Sequence, residues 1–219
     1  MGKNNNENPI VFFVKESWLL LVSAVLFGSL LALTNAAWQP KIIQNEIDKF
    51  NRLAGGMLAD AKTFEPLEQK ASIDVGKGKP LEVEVKKGLD ADGKLAGWAF
   101  VCVGSGFADK IKLVVAVDAK FEKLGGFGVL SSNETPGFGD KIKIPPKNKD
   151  GSVNKKSYQL QFIGAPTGIL TLSKTGDASV VDDEIVAISG STITSQAVVD
   201  TLNTYIEPIK KWLQEQGEI

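Results

Sequence analysis

The most informative stretch of the chain for chemistry is a group of hydroxyl side chains around a glycine near the carboxyl end. It reads Glu184-Ile-Val-Ala-Ile-Ser-Gly-Ser-Thr-Ile-Thr-Ser-Gln-Ala-Val-Val199, which predicts a strand, a tight turn and a helix. The first amides of a helix have no intrahelical acceptor and lie at the positive end of its dipole, so this turn can bind a phosphate group. Gly190 allows close approach of the backbone to a ligand. The alternative is that the hydroxyls only cap the helix; they belong to Ser189, Ser191, Thr192, Thr194 and Ser195.

Two further stretches are rich in glycine next to an aromatic residue. Asn133-Glu-Thr-Pro-Gly-Phe-Gly-Asp140 contains the Pro-Gly pair of a turn. Its two glycines on either side of Phe138 would let the loop approach a flat ligand closely. Gly104-Ser-Gly-Phe107 is a weaker pattern of the same kind. The alternative for both is an ordinary surface loop.

The composition excludes several kinds of site. The chain has no His, which rules out Ser-His-Asp, Cys-His and His-ligated metal chemistry. Cys102 is the only cysteine, so the chain can form neither an internal disulfide nor a cysteine-ligated cluster by itself. It lies in an apolar run, where we expect a buried structural thiol. A net charge of -1 and a single Arg argue against a nucleic-acid partner. The sequence predicts no catalytic residue and no metal site.

Residues 18–38 predict a transmembrane helix. They carry no charge and have Trp18 and Trp38 at their ends, where indole rings favour the membrane interface. About 20 apolar residues span the hydrocarbon core. A cleaved signal peptide is the alternative, with small residues near Ala36 as the cleavage site. The predicted organisation is a short tail at 1–17, the membrane helix, and a soluble domain at 39–219.

The soluble domain is predicted to be α+β, a mixed sheet with helices at both ends. A helix over 39–62 is expected to begin at Pro40, and an amphipathic helix over 194–216 is expected to kink at Pro208. Strands are predicted at 81–85, 96–103, 111–117, 159–162, 168–172 and 184–188, with a polar loop at 145–156.

These stretches and their order resemble the FMN-binding G subunit of Rnf electron-transport complexes, and its homologue, the C subunit of the sodium-translocating NADH:quinone oxidoreductase. The family's flavin attachment motif is Asp-x-x-Ser/Thr-Gly-Ala-Thr, and the matching segment is Val186-Ala-Ile-Ser-Gly-Ser-Thr192. Val186 replaces the motif's Asp and Ser191 its Ala; Asp182, Asp183 and Glu184 lie nearby. Glu134-Thr-Pro-Gly-Phe-Gly139 is similar to the family's second conserved loop near the flavin. The resemblance covers nearly the whole chain.

The resemblance implies a single-pass electron carrier rather than a stand-alone enzyme. FMN would be joined to Thr192 through a phosphodiester bond, with Ser191 as a secondary alternative. The implied partners are flavin and iron–sulfur membrane subunits and a flavin transferase for maturation, and the implied position of the soluble domain is extracytoplasmic. The complex would couple ferredoxin:NAD electron transfer to Na+ or H+ translocation. The alternatives are the C subunit of a sodium-translocating quinone reductase and a membrane-anchored module with noncovalent or no flavin. The implied FMN contacts are Ser189, Gly190, Ser191, Thr194, Glu134, Thr135 and Gly137.

Overall fold

The computed structural model describes residues 9–219 except 76, 77, 79, 146, 149 and 155. The chain divides into two units, Met1–Ile47 and Asp48–Ile219. Within the described residues the first unit is helical, and the second contains all the strands.

One long helix, α1, runs over Pro9–Met57. Its most apolar 18-residue stretch has a mean hydropathy of 2.1 and no buried residue, and no other helix in the described chain is long and apolar enough to cross a membrane. The prediction that a separate helix begins at Pro40 is wrong, because α1 continues through that residue. Proline has no N–H and so cannot donate the usual intrahelical hydrogen bond, but the helix continues on both sides of Pro40.

The second unit is built on a five-stranded antiparallel sheet in the order β1-β4-β5-β6-β7. A short antiparallel pair, β2 and β3, and a short parallel pair, β8 and β9, accompany it. Two 3-10 helices cover Gly139–Ile142 and Tyr158–Phe162, and the helix α2 covers Thr192–Glu215. The strands are β1 Thr63–Pro66, β2 Ala71–Ile73, β3 Leu81–Val83, β4 Val85–Leu89, β5 Leu95–Ser105, β6 Lys110–Asp118, β7 Leu124–Ser132, β8 Thr171–Ser173 and β9 Glu184–Val186.

The central sheet is buried on both faces. Successive side chains of a strand point to opposite faces, so the odd-numbered residues 111–117 of β6 share one core with Leu202 of α2. Val114, on the other face, packs in a smaller cluster with Phe50 and Ala54 from the end of α1. The predicted α+β class, with one long apolar helix before a sheet-rich domain, is confirmed.

Several local predictions differ from the structure. Residues 159–162 are not a strand but part of a 3-10 helix. From this helix the Gln161 side chain binds β9: its Oε1 accepts the Val186 N–H at 2.7 Å and its Nε2 donates to the Val186 carbonyl at 3.1 Å. The glycine-rich β7 was not predicted, since glycine has low strand propensity; its pairing with β6 forms it. The segment 81–85 divides into parts of two strands, and 168–172 becomes a strand only from Thr171.

The sheet brings three separate segments to one end of the domain. The β5–β6 loop contains residues 106–109, and Ile111 of β6 pairs with Ser132 at the end of β7. The chain leaving β7 therefore begins beside that loop. Hydrogen bonds to Glu134, which follows β7, join it to the β5–β6 loop and to the first turn of α2.

Candidate functional site

A cleft of about 460 Å³ opens where these three segments meet. Its volume is within the range of small-molecule sites in proteins, roughly 300–1,000 Å³. None of the side chains that line it is ionisable, so the cleft itself carries no formal charge. The lining residues are Phe107, Thr135, Phe138, Gly139, Gly190, Ser191, Thr192, Ile193 and Thr194.

The first turn of α2 forms one wall of the cleft. Gly190 has a φ of +80°, a conformation that favours glycine, and so makes the tight approach to the helix possible. Ser195 holds the turn together: its hydroxyl donates to the Ser191 carbonyl at 3.0 Å and accepts the Ile188 N–H at 3.1 Å. The first intrahelical bond joins the Ser195 N–H to the Ser191 carbonyl at 2.9 Å. The amides of residues 192–194 precede it and have no acceptor within the helix.

Two adjacent hydroxyls in this wall have no hydrogen-bond partner among the described residues. Thr192 is half-buried in the cleft, and no described side chain or backbone group binds its hydroxyl. Ser191 is 6% exposed, and its Oγ is buried and unpartnered. The helix start therefore offers amide donors and two uncommitted hydroxyls to a bound group.

Glu134 lies behind the cleft and connects its three segments. The side chain is 3% exposed. Its Oε2 accepts the Thr194 hydroxyl at 2.6 Å, and its Oε1 accepts the Ala108 N–H at 3.0 Å. A Cβ at Gly106 or Gly139 would collide with its carboxylate, so a larger residue at either position would have to displace that carboxylate. Glu134 therefore positions α2 and the β5–β6 loop relative to the segment that follows β7.

Exposed aromatic side chains flank the cleft. Phe107 is 64% and Phe138 56% exposed, which is unusual for rings of this size and leaves their faces available to a flat ligand. The turn before Phe138 is closed by its N–H, which donates to the Thr135 carbonyl at 3.2 Å, and Gly137 adopts a φ of +79° there. This matches the predicted Pro-Gly turn.

A polar contact at the surface also joins the two loops. The Asn133 side-chain amide donates to Asp109 at 2.8 Å. Together with the bond from the Lys110 backbone, it lowers the pKa of the Asp109 carboxyl. The loops that carry Phe107 and Phe138 are therefore joined both here and through Glu134.

The structure brings five of the predicted site residues together at the cleft: Thr135, Gly190, Ser191, Thr192 and Thr194. Ser189 instead lines a neighbouring pocket of about 330 Å³, and Gly137 and Glu134 are not among the residues that line the cleft. Sequence reasoning missed Ile193, which is 61% exposed at the cleft, and the Glu134–Thr194 bond. Glu134 and Thr194 are 60 positions apart, so no local sequence pattern indicates that they form a hydrogen bond.

The fold and the cleft define a class: an α+β domain, attached to a long apolar helix, whose site combines a helix start with exposed aromatic rings. Residues 106–207 match the family described as FMN-binding domain. The chain is 30% identical over 189 residues to the G subunit of the ion-translocating oxidoreductase complex of Methanosarcina acetivorans, covering 86% of this chain and 89% of that protein. It is also 29% identical to the G subunit of the Na(+)-translocating ferredoxin:NAD(+) oxidoreductase complex of Acetobacterium woodii, and the match covers 88% of this chain and 89% of that protein.

The chain belongs to the family of G subunits of Rnf ion-translocating electron-transport complexes, as the sequence resemblance indicated. A solved structure agrees in fold: the C subunit of the Na(+)-translocating NADH-quinone reductase from Parabacteroides distasonis. It has a TM-score of 0.52 at 18% identity, and the similarity covers 78% of this chain and 95% of that one. With its long apolar helix, the protein is membrane-anchored.

Proposed function

We propose that the chain is an electron-carrying subunit of an Rnf-type complex that couples ferredoxin:NAD electron transfer to Na+ or H+ translocation, with FMN joined covalently to Thr192. The observation that carries the proposal is the position of the Thr192 hydroxyl. It lies in the cleft at the start of α2 without a hydrogen-bond partner among the described residues, within the segment that matches the FMN-binding domain family.

The residues of the cleft suit both the phosphate group and the ring system of FMN. The unpaired amides at the start of α2 and the helix dipole favour a phosphate group. Phe107 and Phe138 also line the cleft and are exposed, so their rings can pack on a flat ring system. When bound, FMN supplies the electron-transfer chemistry, and the protein supplies position and electrostatics.

No described side chain that lines the cleft can act as a base to activate Thr192. A threonine hydroxyl is a weak nucleophile unless a neighbouring group takes its proton. No ionisable side chain lines the cleft, and both oxygens of Glu134 are engaged by Thr194 and Ala108. We therefore propose that a separate flavin transferase forms the bond, rather than the chain itself.

We propose the following position for the protein in the complex. In the proposed arrangement, residues 18–38 of α1 anchor the chain, and the soluble domain carries FMN on the extracytoplasmic side. Flavin and iron–sulfur subunits of the complex donate electrons to this FMN and accept electrons from it. The cleft suits this exchange because it is open and has exposed aromatic rings beside it.

In-gel flavin fluorescence after denaturation tests the attachment site. The wild-type band is expected to fluoresce, because a covalent flavin survives denaturation. Thr192→Ala is expected to abolish the signal, and Thr192→Ser, which keeps a hydroxyl, is expected to retain part of it. An unchanged signal in Thr192→Ala would overturn the assignment to Thr192. A coloured native protein that loses its flavin on denaturation would show noncovalent binding instead.

A further inference from the structure

We propose that Ser191 is a phosphate-positioning residue: its hydroxyl donates a hydrogen bond to the phosphate group held at the start of α2 instead of capping the helix. This inference rests on the proposed function, because it assumes that a phosphate ester occupies the cleft. It assigns a specific role to the side chain that directly precedes the proposed attachment residue, Thr192.

Ser191 stands at the N-cap position but does not cap the helix. Serine is favoured there because its oxygen normally accepts an N–H from the second or third helical residue. Ser191 makes no such bond, and its backbone, with φ of -139° and ψ of 35°, lies outside the extended conformation typical of a capping residue. The amides of Ile193 and Thr194 therefore have no side-chain cap from this residue.

The hydroxyl of Ser191 is also buried. Ser191 is 6% exposed, and its Oγ has no hydrogen-bond partner among the described residues. A buried hydroxyl without a partner is unfavourable, and such groups in proteins usually have a partner, whether protein, water or ligand. The neighbouring serine on the same turn shows the contrast, because Ser195 uses its hydroxyl both as donor and as acceptor.

The location of Ser191 suits the same role. Ser191 and Thr192 both line the cleft, and the free amides of the first turn lie beside them. A serine hydroxyl can donate as well as accept, and rotation about χ1 moves it between staggered positions. A phosphate group bound by these amides is therefore the acceptor that the Ser191 hydroxyl lacks, and the bond would be charge-assisted.

The experiment measures the contribution of the phosphate separately from that of the ring. The full-length chain carrying Thr192→Val, which cannot form the covalent bond, is purified in detergent and titrated with free FMN and with riboflavin, which lacks the phosphate. When Ser191→Ala is combined with Thr192→Val, FMN binding is expected to weaken about tenfold, because a hydrogen bond to the charged phosphate group is lost. Riboflavin binding and the unfolding midpoint of the ligand-free chain should not change.

Two further variants separate a phosphate role from a structural one. Ser191→Gly removes the hydroxyl but keeps a residue tolerated at an N-cap, so it should weaken FMN binding to the same extent. Gln196→Ala, on the exposed side of α2, is the control and should change neither ligand's affinity.

The proposal would be overturned if Ser191→Ala weakened FMN and riboflavin equally. It would also be overturned if that change left FMN affinity intact but lowered the ligand-free unfolding midpoint by about 2–4 °C, the result for a lost helix cap. If wild-type chains carry FMN on Thr192 while Ser191→Ala has no effect on FMN affinity, the role of Ser191 fails and the proposed function stands. Absence of FMN from wild-type chains made with their transferase would instead overturn the proposed function.

Discussion

Replacement of Thr194 by Val tests whether the buried bond to Glu134 holds the site together. The Thr194 hydroxyl donates to Glu134 Oε2 at 2.6 Å, and the two residues are only 2% and 3% exposed. Valine keeps the shape of threonine but removes the donor, which leaves one carboxylate oxygen buried without its partner. A hydrogen bond to a charged group contributes about 1.5–3 kcal/mol, so the free energy of unfolding should fall by about 2–3 kcal/mol.

Thr194→Ser is the matched control, since it keeps the hydroxyl and loses only a methyl group. Its cost should be about 1 kcal/mol. Urea unfolding of the full chain in detergent, followed by tryptophan fluorescence, measures both variants; Trp98 is fully buried in the soluble domain and reports on its core. The double change Thr194→Val with Glu134→Gln should cost less than the sum of the single changes, because the two residues share one interaction.

A difference of less than about 0.5 kcal/mol between the unfolding free energies of Thr194→Val and Thr194→Ser would contradict a stabilising bond between Thr194 and Glu134, because that is the scatter expected of substitutions that remove no specific interaction. Additive costs in the double variant would also contradict it. The same Thr194→Val chain should carry less covalent flavin than the Ser variant, because Glu134 no longer holds the first turn of α2 in place.

Three further predictions concern the turn at Gly190, the exposed ring of Phe138 and the buried Tyr158. Gly190→Ala should cost about 1–2 kcal/mol in urea unfolding because of its φ of +80°, whereas Gly168→Ala, whose new Cβ meets no atom within 4 Å, should cost little. Phe138→Ala should leave attachment intact but make flavin fluorescence more sensitive to iodide quenching, through loss of a contact of about 0.5–1.5 kcal/mol. Burial raises the pKa of Tyr158, so its contribution to stability is complete below the ordinary value of 10.0 and is lost as the pH rises above it. Unfolding measured across this range should therefore show a shallower alkaline fall in Tyr158→Phe, and an identical slope in wild type and variant would contradict this.

The sequence predicted the elements with strong periodicity. The uncharged run at 18–38 and the amphipathic pattern after Thr194 both correspond to helices, and the apolar runs at 96–103 and 111–117 correspond to the central strands. Cys102 is fully buried, as its apolar neighbours indicated, and burial raises the pKa of its thiol. Local hydrophobic patterning is sufficient to predict such segments.

Other elements depend on contacts between distant parts of the chain. β7 contains three glycines and forms through its pairing with β6. The segment at 158–162 is a 3-10 helix whose Gln161 side chain binds the backbone of β9. At the site, the turn at Gly190 was predicted from local residues, but the burial of Glu134 behind the cleft depends on its bond to Thr194. Tertiary contacts of this kind leave no periodic pattern in the sequence.

Mass spectrometry of the intact chain, purified from membranes of cells that contain the flavin transferase, tests the central claim most directly. We expect a mass increase equal to FMN less water, and a modified peptide in which the added group is on Thr192. An unmodified chain, or a modification located on Ser191 or elsewhere, would contradict it.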